Sequence, residues 1–204
     1  MENQERIWNN LSKQWNNFRN KPEPIVYHFL NKYTKNAGRV VDLGCGNARN
    51  LIPFHNFSCY AVDFSKKMLE KAKLTSEKCG LYINLYKADL TKLQFKDNFF
   101  DYALMLASLH HIKNKDSRLK TLQELYRILK KDGIALITVW NKWQLKFLFR
   151  KKDTLIPWKI KDKTYYRYYH LFGYFELKNL LKKVNFKILE NKTFKGNLIF
   201  IVKK

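Results

Sequence analysis

The chain of 204 residues carries 40 Lys and Arg against 17 Asp and Glu, a formal charge of +23. That excludes an ordinary near-neutral domain and is the usual footprint of a polyanionic partner. Hydrophobic residues at 46% and aromatics at 16% exclude disorder, while 7 Gly and 4 Pro exclude collagen-like and low-complexity classes.

One domain over 1–204 with a sizeable core is expected at this length. Cys45, Cys59 and Cys79 contain no C-x-x-C pair, so neither a metal ribbon nor a disulfide framework is expected, and a reducing compartment suits them. The N-terminus is polar, and no apolar run nears the roughly 18 residues that a membrane span needs. A cytoplasmic protein with no membrane partner is therefore expected. Because 32 of the cations are Lys, genome composition or heat adaptation competes with a ligand as the source of the charge.

Residues 1–38 read as a helical arm. From about 39 to 140, strand and helix character alternate as in a βαβ sheet. Arg39–Leu43 is a buried strand, followed by a Gly44-Cys45-Gly46 turn and a short helix near Asn50–Phe54. Cys59–Asp63 is a second strand, and Ser65 caps a helix to about Lys78. Leu81–Tyr86 and Phe100–Leu106 read as strands. Leu119, Leu122, Tyr126 and Leu129 recur at helical spacing between Asp116 and Lys130. Asp132-Gly133 then turns the chain into a strand over Ile134–Trp140. A helix over about 175–183 and strands at 186–190 and 197–202 finish the chain.

Residues 141–170 interrupt the alternation with nine cations against Asp153 and Asp162, interleaved with eight aromatics. Excursions after the carboxyl ends of parallel strands overlie the ligand crevice of such sheets.

Two glycines between a strand and a helix let the chain turn tightly and a ligand approach without meeting a Cβ. The dinucleotide fingerprint fails because Arg49 stands at its third glycine, which disfavours NAD. Asp42, Asp63 and Asp89 end successive strands and would line one edge of the sheet. In so cationic a chain, this placement suits a cofactor bearing a sulfonium and an ammonium better than one bearing a pyrophosphate. The competing explanation is that the three carboxylates merely cap helices and turns.

At this point the chain resembles the class I S-adenosylmethionine methyltransferases over residues 38–140, through Val40-Val-Asp42-Leu-Gly-Cys-Gly46, Ala61-Val-Asp63-Phe-Ser65, Ala88-Asp89-Leu90 and Phe99-Phe-Asp101-Tyr-Ala103. Ala48 departs from the family's frequent third glycine. The resemblance implies an α/β fold with a seven-stranded, mostly parallel sheet flanked by helices, its last strand antiparallel. It implies a cofactor site of Asp42, Gly44, Cys45, Gly46 and Asn47, with Asp63, Phe64, Ser65, Asp89, Leu90 and Leu106. Asp101, at the opposite strand end, is expected to be structural.

Phe18-Arg19-Asn-Lys21-Pro22, Leu106-Ala-Ser-Leu-His110-His111, Ile156-Pro-Trp158 and Tyr166-Arg167-Tyr-Tyr-His170 extend the likeness over nearly the whole chain. They are similar to the tRNA methyltransferases that esterify the carboxymethyl group of a wobble uridine. Phe175-Glu176-Leu177 departs from that family's Gly-Glu-Leu helix start. The resemblance implies acceptor-side roles for His110, His111, Trp140, Arg167 and His170, and RNA contacts for Arg19, Lys21, Lys142, Lys151, Lys152, Trp158, Tyr166 and Tyr169. It also implies two partners, a tRNA anticodon stem-loop and a small zinc-binding activator on the tyrosine-rich third strand, with no metal in this chain. Arg167 suits a carboxylate because its planar fork pairs with one, and the aromatics suit stacked bases. A methyltransferase of quinone or sterol type, an inert RNA-binding subunit and a Rossmann oxidoreductase are the alternatives.

Overall fold

The computed structural model describes residues 3–35 and 37–204; of the expected arm, residues 1, 2 and 36 lie outside the described residues. Helices α1 (Gln4–Phe18) and α2 (Pro24–Tyr33) precede β1 (Gly38–Leu43), β2 (Phe57–Asp63), α3 (Lys66–Cys79), β3 (Ile83–Lys87) and β4 (Phe100–Leu106). After these come α4 (Lys115–Ile128), β5 (Leu129–Trp140), β6 (Asp153–Ile160), β7 (Lys163–His170), α5 (Tyr174–Lys183), β8 (Lys187–Phe194) and β9 (Asn197–Lys203).

Seven strands form one sheet in the order β3-β2-β1-β4-β5-β9-β8, parallel except for β9, which runs antiparallel to both neighbours. The central strands read as continuous apolar runs because both faces are covered. Leu122, Leu125, Leu177 and Leu181 of α4 and α5 pack on one face, against Val41, Ala103 and Phe200. Val26, Phe29 and Ala72 of α2 and α3 pack on the other, against Val40, Ala61 and Leu104. The reversal of strand order between β1 and β4 opens a crevice at their carboxyl ends, where such sheets bind ligands.

Local signals account for most boundaries. Ser65 accepts from Met68 N (3.1 Å) at the start of α3, and Gly80 closes it in the left-handed conformation (φ 60°). Asn3 caps α1 by accepting from Glu5 N (2.9 Å). Asp101 latches the far sheet edge, accepting from Arg39 N (2.8 Å) and Lys130 Nζ (2.6 Å).

Four sequence expectations are corrected. The short helix after the glycine turn is one 3₁₀ turn, Arg49–Leu51, entered through Ala48 at φ 57°, the left-handed region that makes glycine common at this position. The helix expected to reach Lys130 ends at Ile128, because buried Leu129 already pairs with Phe100 as the first residue of β5. Asp132-Gly133 is therefore an irregularity within that strand, absorbed by a register shift between Phe100 and Tyr102. The excursion 141–170 contains a regular hairpin, β6 with β7, paired from Asp153↔His170 to Ile160↔Lys163.

Candidate active site

The first half of the site is built by the ends of β1 and β2. Gly44 N and Cys45 N donate to Val62 O (2.8 and 3.0 Å), folding the glycine turn over β2. Gly44 and Gly46 adopt φ +74° and +56°, and a Cβ on Gly44 would stand 2.4 Å from Ser108 Oγ. Asp63 ends β2, and its two oxygens accept from Gly46 N and Ser65 N (2.9 Å each), so one carboxylate holds both the turn and the start of α3. Burial pushes Asp63 up to about 6 and Asp42 up to about 7. Asp42 is 1% exposed, and its Oδ2 has no hydrogen-bond partner among the described residues.

Gly44, Cys45, Gly46, Asn47, Asp63 and Phe64 line a cavity of about 890 Å³, together with Asp89, Leu90 and Leu106. Two expected cofactor residues stand behind its wall instead. Asp42 lies beneath the turn, and the Ser65 hydroxyl faces α1, donating to Asn9 Oδ1 (2.7 Å). The turn, the buried carboxylates and the bare backbone fit a nucleoside with a cationic tail. Bringing a cation near Asp42 and Asp63 would favour their charged forms, which burial now disfavours.

The acceptor half faces it across the same cavity. His110 and His111 arrive after β4, Trp140 ends β5, and the inward face of the hairpin supplies Trp158, Arg167 and Tyr169. Tyr169 stacks on Trp140 with ring centroids 4.2 Å apart and planes at 19°. The Arg167 guanidinium, 4% exposed, lies 4.6 Å from the Trp158 ring centroid and 5.2 Å from that of Tyr169. Its Nη1 donates to Tyr169 Oη (2.8 Å), and its Nε has no partner among the described residues. No carboxylate among those residues pairs with it, so the charge is held by aromatic faces and one neutral hydroxyl. A buried cation is costly unless paired, which makes this a seat for an anionic ligand. Arg19 also lines the cavity, its guanidinium 5.7 Å from the centroid of Trp15.

His170 does not join this group. It is clamped between Asp153 (Nδ1–Oδ1, 2.9 Å) and Glu176 (Nε2–Oε1, 2.8 Å), outside the cavity, tying the hairpin base to α5. The expected acceptor-side contact is thereby corrected to an anchoring one. Burial would raise Glu176, but hydrogen bonds from His170 and Lys152 win and hold it near 2. Glu176 also accepts from Gly173 N (3.4 Å), so the first turn of α5 keeps its cap despite Phe175. Lys21, Lys142, Lys151, Lys152 and Tyr166 likewise lie outside the cavity lining; Lys152 pairs with Glu176 (2.9 Å), and the other four are surface groups or partly exposed.

Sequence reading missed the contribution of α1. Its Trp8 and Trp15 line the cavity, and Ile7 and Leu11 pack with Met68 beneath them. The signal was present as apolar residues at positions 7, 8, 11 and 15, on one helical face of an otherwise polar arm. Gln4 Oε1 accepts from Tyr168 N (2.9 Å), and Gln14 accepts from Trp158 Nε1. Asn47 donates to Asn16 Oδ1 (2.9 Å) and Arg19 O (2.6 Å). Helix and hairpin thus form one cover over the crevice. No cluster of three or more His, Cys, Asp or Glu among the described residues is arranged to hold a metal.

Residues 41–137 match the family described as Methyltransferase domain. The chain has the class I methyltransferase fold, and its residues 41–137 resemble that family's domain. A solved S-adenosylmethionine-dependent methyltransferase from Methanosarcina mazei superposes with a TM-score of 0.75 at 21% identity, covering 90% of this chain and 98% of that one. The methyltransferase domain and its flanks also resemble a putative methyltransferase of Encephalitozoon cuniculi, at 28% identity over 98% of this chain and 94% of the relative. A tRNA (carboxymethyluridine(34)-5-O)-methyltransferase of Schizosaccharomyces pombe is 29% identical over 98% of this chain and 95% of its own length.

Proposed function

We propose that the protein methylates the carboxylate of a 5-carboxymethyluridine at the wobble position of tRNA. S-adenosylmethionine is the cofactor, held by the Gly44–Asn47 turn with Asp63 and Asp89; when bound, it supplies an electrophilic methyl group on a sulfonium. The single observation that carries the acceptor assignment is Arg167, a buried guanidinium facing the crevice with no carboxylate partner among the described residues. The S. pombe relative's activity supports the same reading.

The residues match what such a transfer requires. A carboxylate is already an anion, so no general base is needed, and the two cavity histidines are neutral (below). Arg167 can hold one oxygen in its fork and leave the other free to attack. The aromatic frame of Trp8, Trp140, Trp158 and Tyr169 excludes water, and alignment within about 3 Å supplies most of the remaining acceleration. With the cofactor bound, these residues would align the free carboxylate oxygen with the methyl group it supplies, and no side chain would have to take or give a proton.

RNA docking is proposed along the outside of the crevice, in the segment where Lys142, Arg150 and Lys151 accompany the exposed rings of Trp143 and Phe149, the latter 98% exposed, with Lys146 at the cavity wall over Trp140 (4.8 Å). Cations for phosphates beside rings for unstacked bases are the composition of a single-strand platform. A small zinc-binding activator is proposed on β3, a sheet edge beside the exposed Tyr82. A cytoplasmic site of action accords with the three free thiols, and no described helix is long and apolar enough to cross a membrane.

The test is transfer from labelled S-adenosylmethionine to tRNA bearing 5-carboxymethyluridine, with and without a candidate activator. A base-labile methyl ester at the wobble nucleotide is the expected product. Transfer to quinones or sterols but not to tRNA would overturn the reading.

A further inference from the structure

His110 and His111 are adjacent in sequence, both line the cavity, and their rings lie 4.5 Å apart, centroid to centroid. Their hydrogen bonds fix opposite proton positions. His110 Nδ1 receives the backbone N–H of Trp140 (3.1 Å). That nitrogen must be bare, and in a neutral ring the proton sits on Nε2. His111 Nδ1 meets the carbonyl oxygen of Tyr168 (2.9 Å), which can only accept. Here the proton sits on Nδ1, and Nε2 is bare. Burial keeps both rings neutral at physiological pH, driving His110 well below its ordinary value and His111 down to about 3.

Among the described residues, neither Nε2 has a hydrogen-bond partner, so the pair offers the cavity one donor and one acceptor side by side. Both histidines pack on Tyr169, at 4.9 and 4.4 Å, and Tyr169 in turn receives a hydrogen bond from Arg167. Around Tyr169 the wall therefore presents a cation, an N–H donor and a lone pair.

We propose that His110 and His111, as opposite tautomers, read the imide edge of a uracil: His110 Nε2–H donates to O4, and His111 Nε2 accepts from N3–H. This deepens the wobble-uridine reading and rests on it. The base carries the three complementary groups close together, because C5 with its carboxymethyl anion, carbonyl C4 and N3–H are consecutive ring positions. Cytosine has a bare N3, whose lone pair would meet that of His111, and its 4-amino group would meet the His110 donor. A site built to satisfy a substrate N–H rejects analogues lacking it, since its own buried group is left unpaired.

The test uses anticodon stem-loop RNAs carrying 5-carboxymethyluridine, its N3-methyl derivative or 5-carboxymethylcytidine, with the full chain and S-adenosylmethionine. Wild type should lose at least 100-fold in kcat/KM on both analogues. In His111→Leu the uridine substrate should slow while the N3-methyl penalty collapses to a few-fold, and His111→Gln, which retains an acceptor, should keep part of the discrimination. Nitrogen-15 spectra of the imidazoles should show His110 protonated on Nε2 and His111 on Nδ1. The His111 Nε2 resonance should move when the uridine stem-loop binds and stay put with the N3-methyl one. That spectroscopic readout needs no turnover and serves if His111→Leu fails to fold. Identical tautomers, an unmoved resonance, or an N3-methyl penalty unchanged in His111→Leu would overturn the proposal. No ester with any RNA, alongside the expected resonance shift, would overturn the esterification reading alone.

Discussion

Arg167 is where sequence and structure meet most closely at the scale of single residues. Its motif marked it as a carboxylate ligand, but only the fold shows that no acid among the described residues neutralises it. Arg167→Ala should lower kcat/KM by about 10²–10³, comparable to losing one preorganised charge-stabilising donor, while S-adenosylmethionine affinity changes less than threefold by calorimetry. Arg167→Lys keeps the charge without the fork and should recover only part of the loss. An equal loss of cofactor affinity would place Arg167 on the wrong side of the crevice. Asp42 and Asp63 give the opposite split, and their sign can be worked out. Burial raises both above the ordinary 3.8, to about 7 and about 6. Between those limits the folded, ligand-free state binds more protons than the unfolded one, so their contribution to stability falls as pH rises. The cationic cofactor prefers the ionised forms, so its affinity should climb between pH 5 and 8, by up to about tenfold per unit for each group that ionises. Asp42→Asn should flatten that climb. His110 and His111 act in the reverse sense on stability, being neutral when folded and withdrawing support as pH drops below 6.5.

The sheet strands and three of the helices were legible from apolar runs, cap residues and period, because each signal is local. The glycine turn and Asp63 were legible for the same reason. The hairpin was not, because alternation along Thr154, Ile156, Trp158 and Ile160 is masked by Leu155 and Pro157 on the other face, and its inward side is defined only by tertiary contact, with α1, Phe147 and Trp140. His170 was misassigned because a residue three positions from Arg167, an odd number, points to the opposite face of a strand. Helix α1 packs on the domain through a narrow apolar face, Ile7, Trp8 and Leu11 against Met68, supplemented by polar side chains. Asn9 is a polar anchor on α3, accepting from Ser65 Oγ (2.7 Å) and Lys67 N (3.2 Å). Asn9→Ala should leave global unfolding nearly unchanged but cost about 1–2 kcal/mol locally. Amide exchange over residues 4–18 should then quicken about tenfold, and cofactor release with it, while α4 exchanges as before. Uniform acceleration across the chain would show that α1 belongs to the core and is not a separately opening cover.

The molecule as a whole is a positive body with a small acidic floor. The two carboxylates nearest the glycine turn are buried, where screening by salt is weak, whereas most cations of the 141–152 segment are exposed and screened within about 10 Å at 0.1 M salt. Cofactor binding and RNA binding should therefore respond differently to ionic strength. With about five phosphates neutralised, the logarithm of tRNA affinity should fall against log salt with a slope of about −4, while S-adenosylmethionine affinity barely moves. Lys142→Ala and Lys151→Ala should each reduce the steepness by about 1, as expected for removal of one phosphate contact. Genome composition, the competing source of the charge, predicts something else. Lysines scattered without regard to a ligand would give the same small effect wherever they were removed, so Lys182→Ala and Lys183→Ala, at the end of α5, are the controls. If those variants flatten the salt response as much as the two in the 141–152 segment, the charge is a property of the whole surface, and RNA does not dock at the crevice mouth.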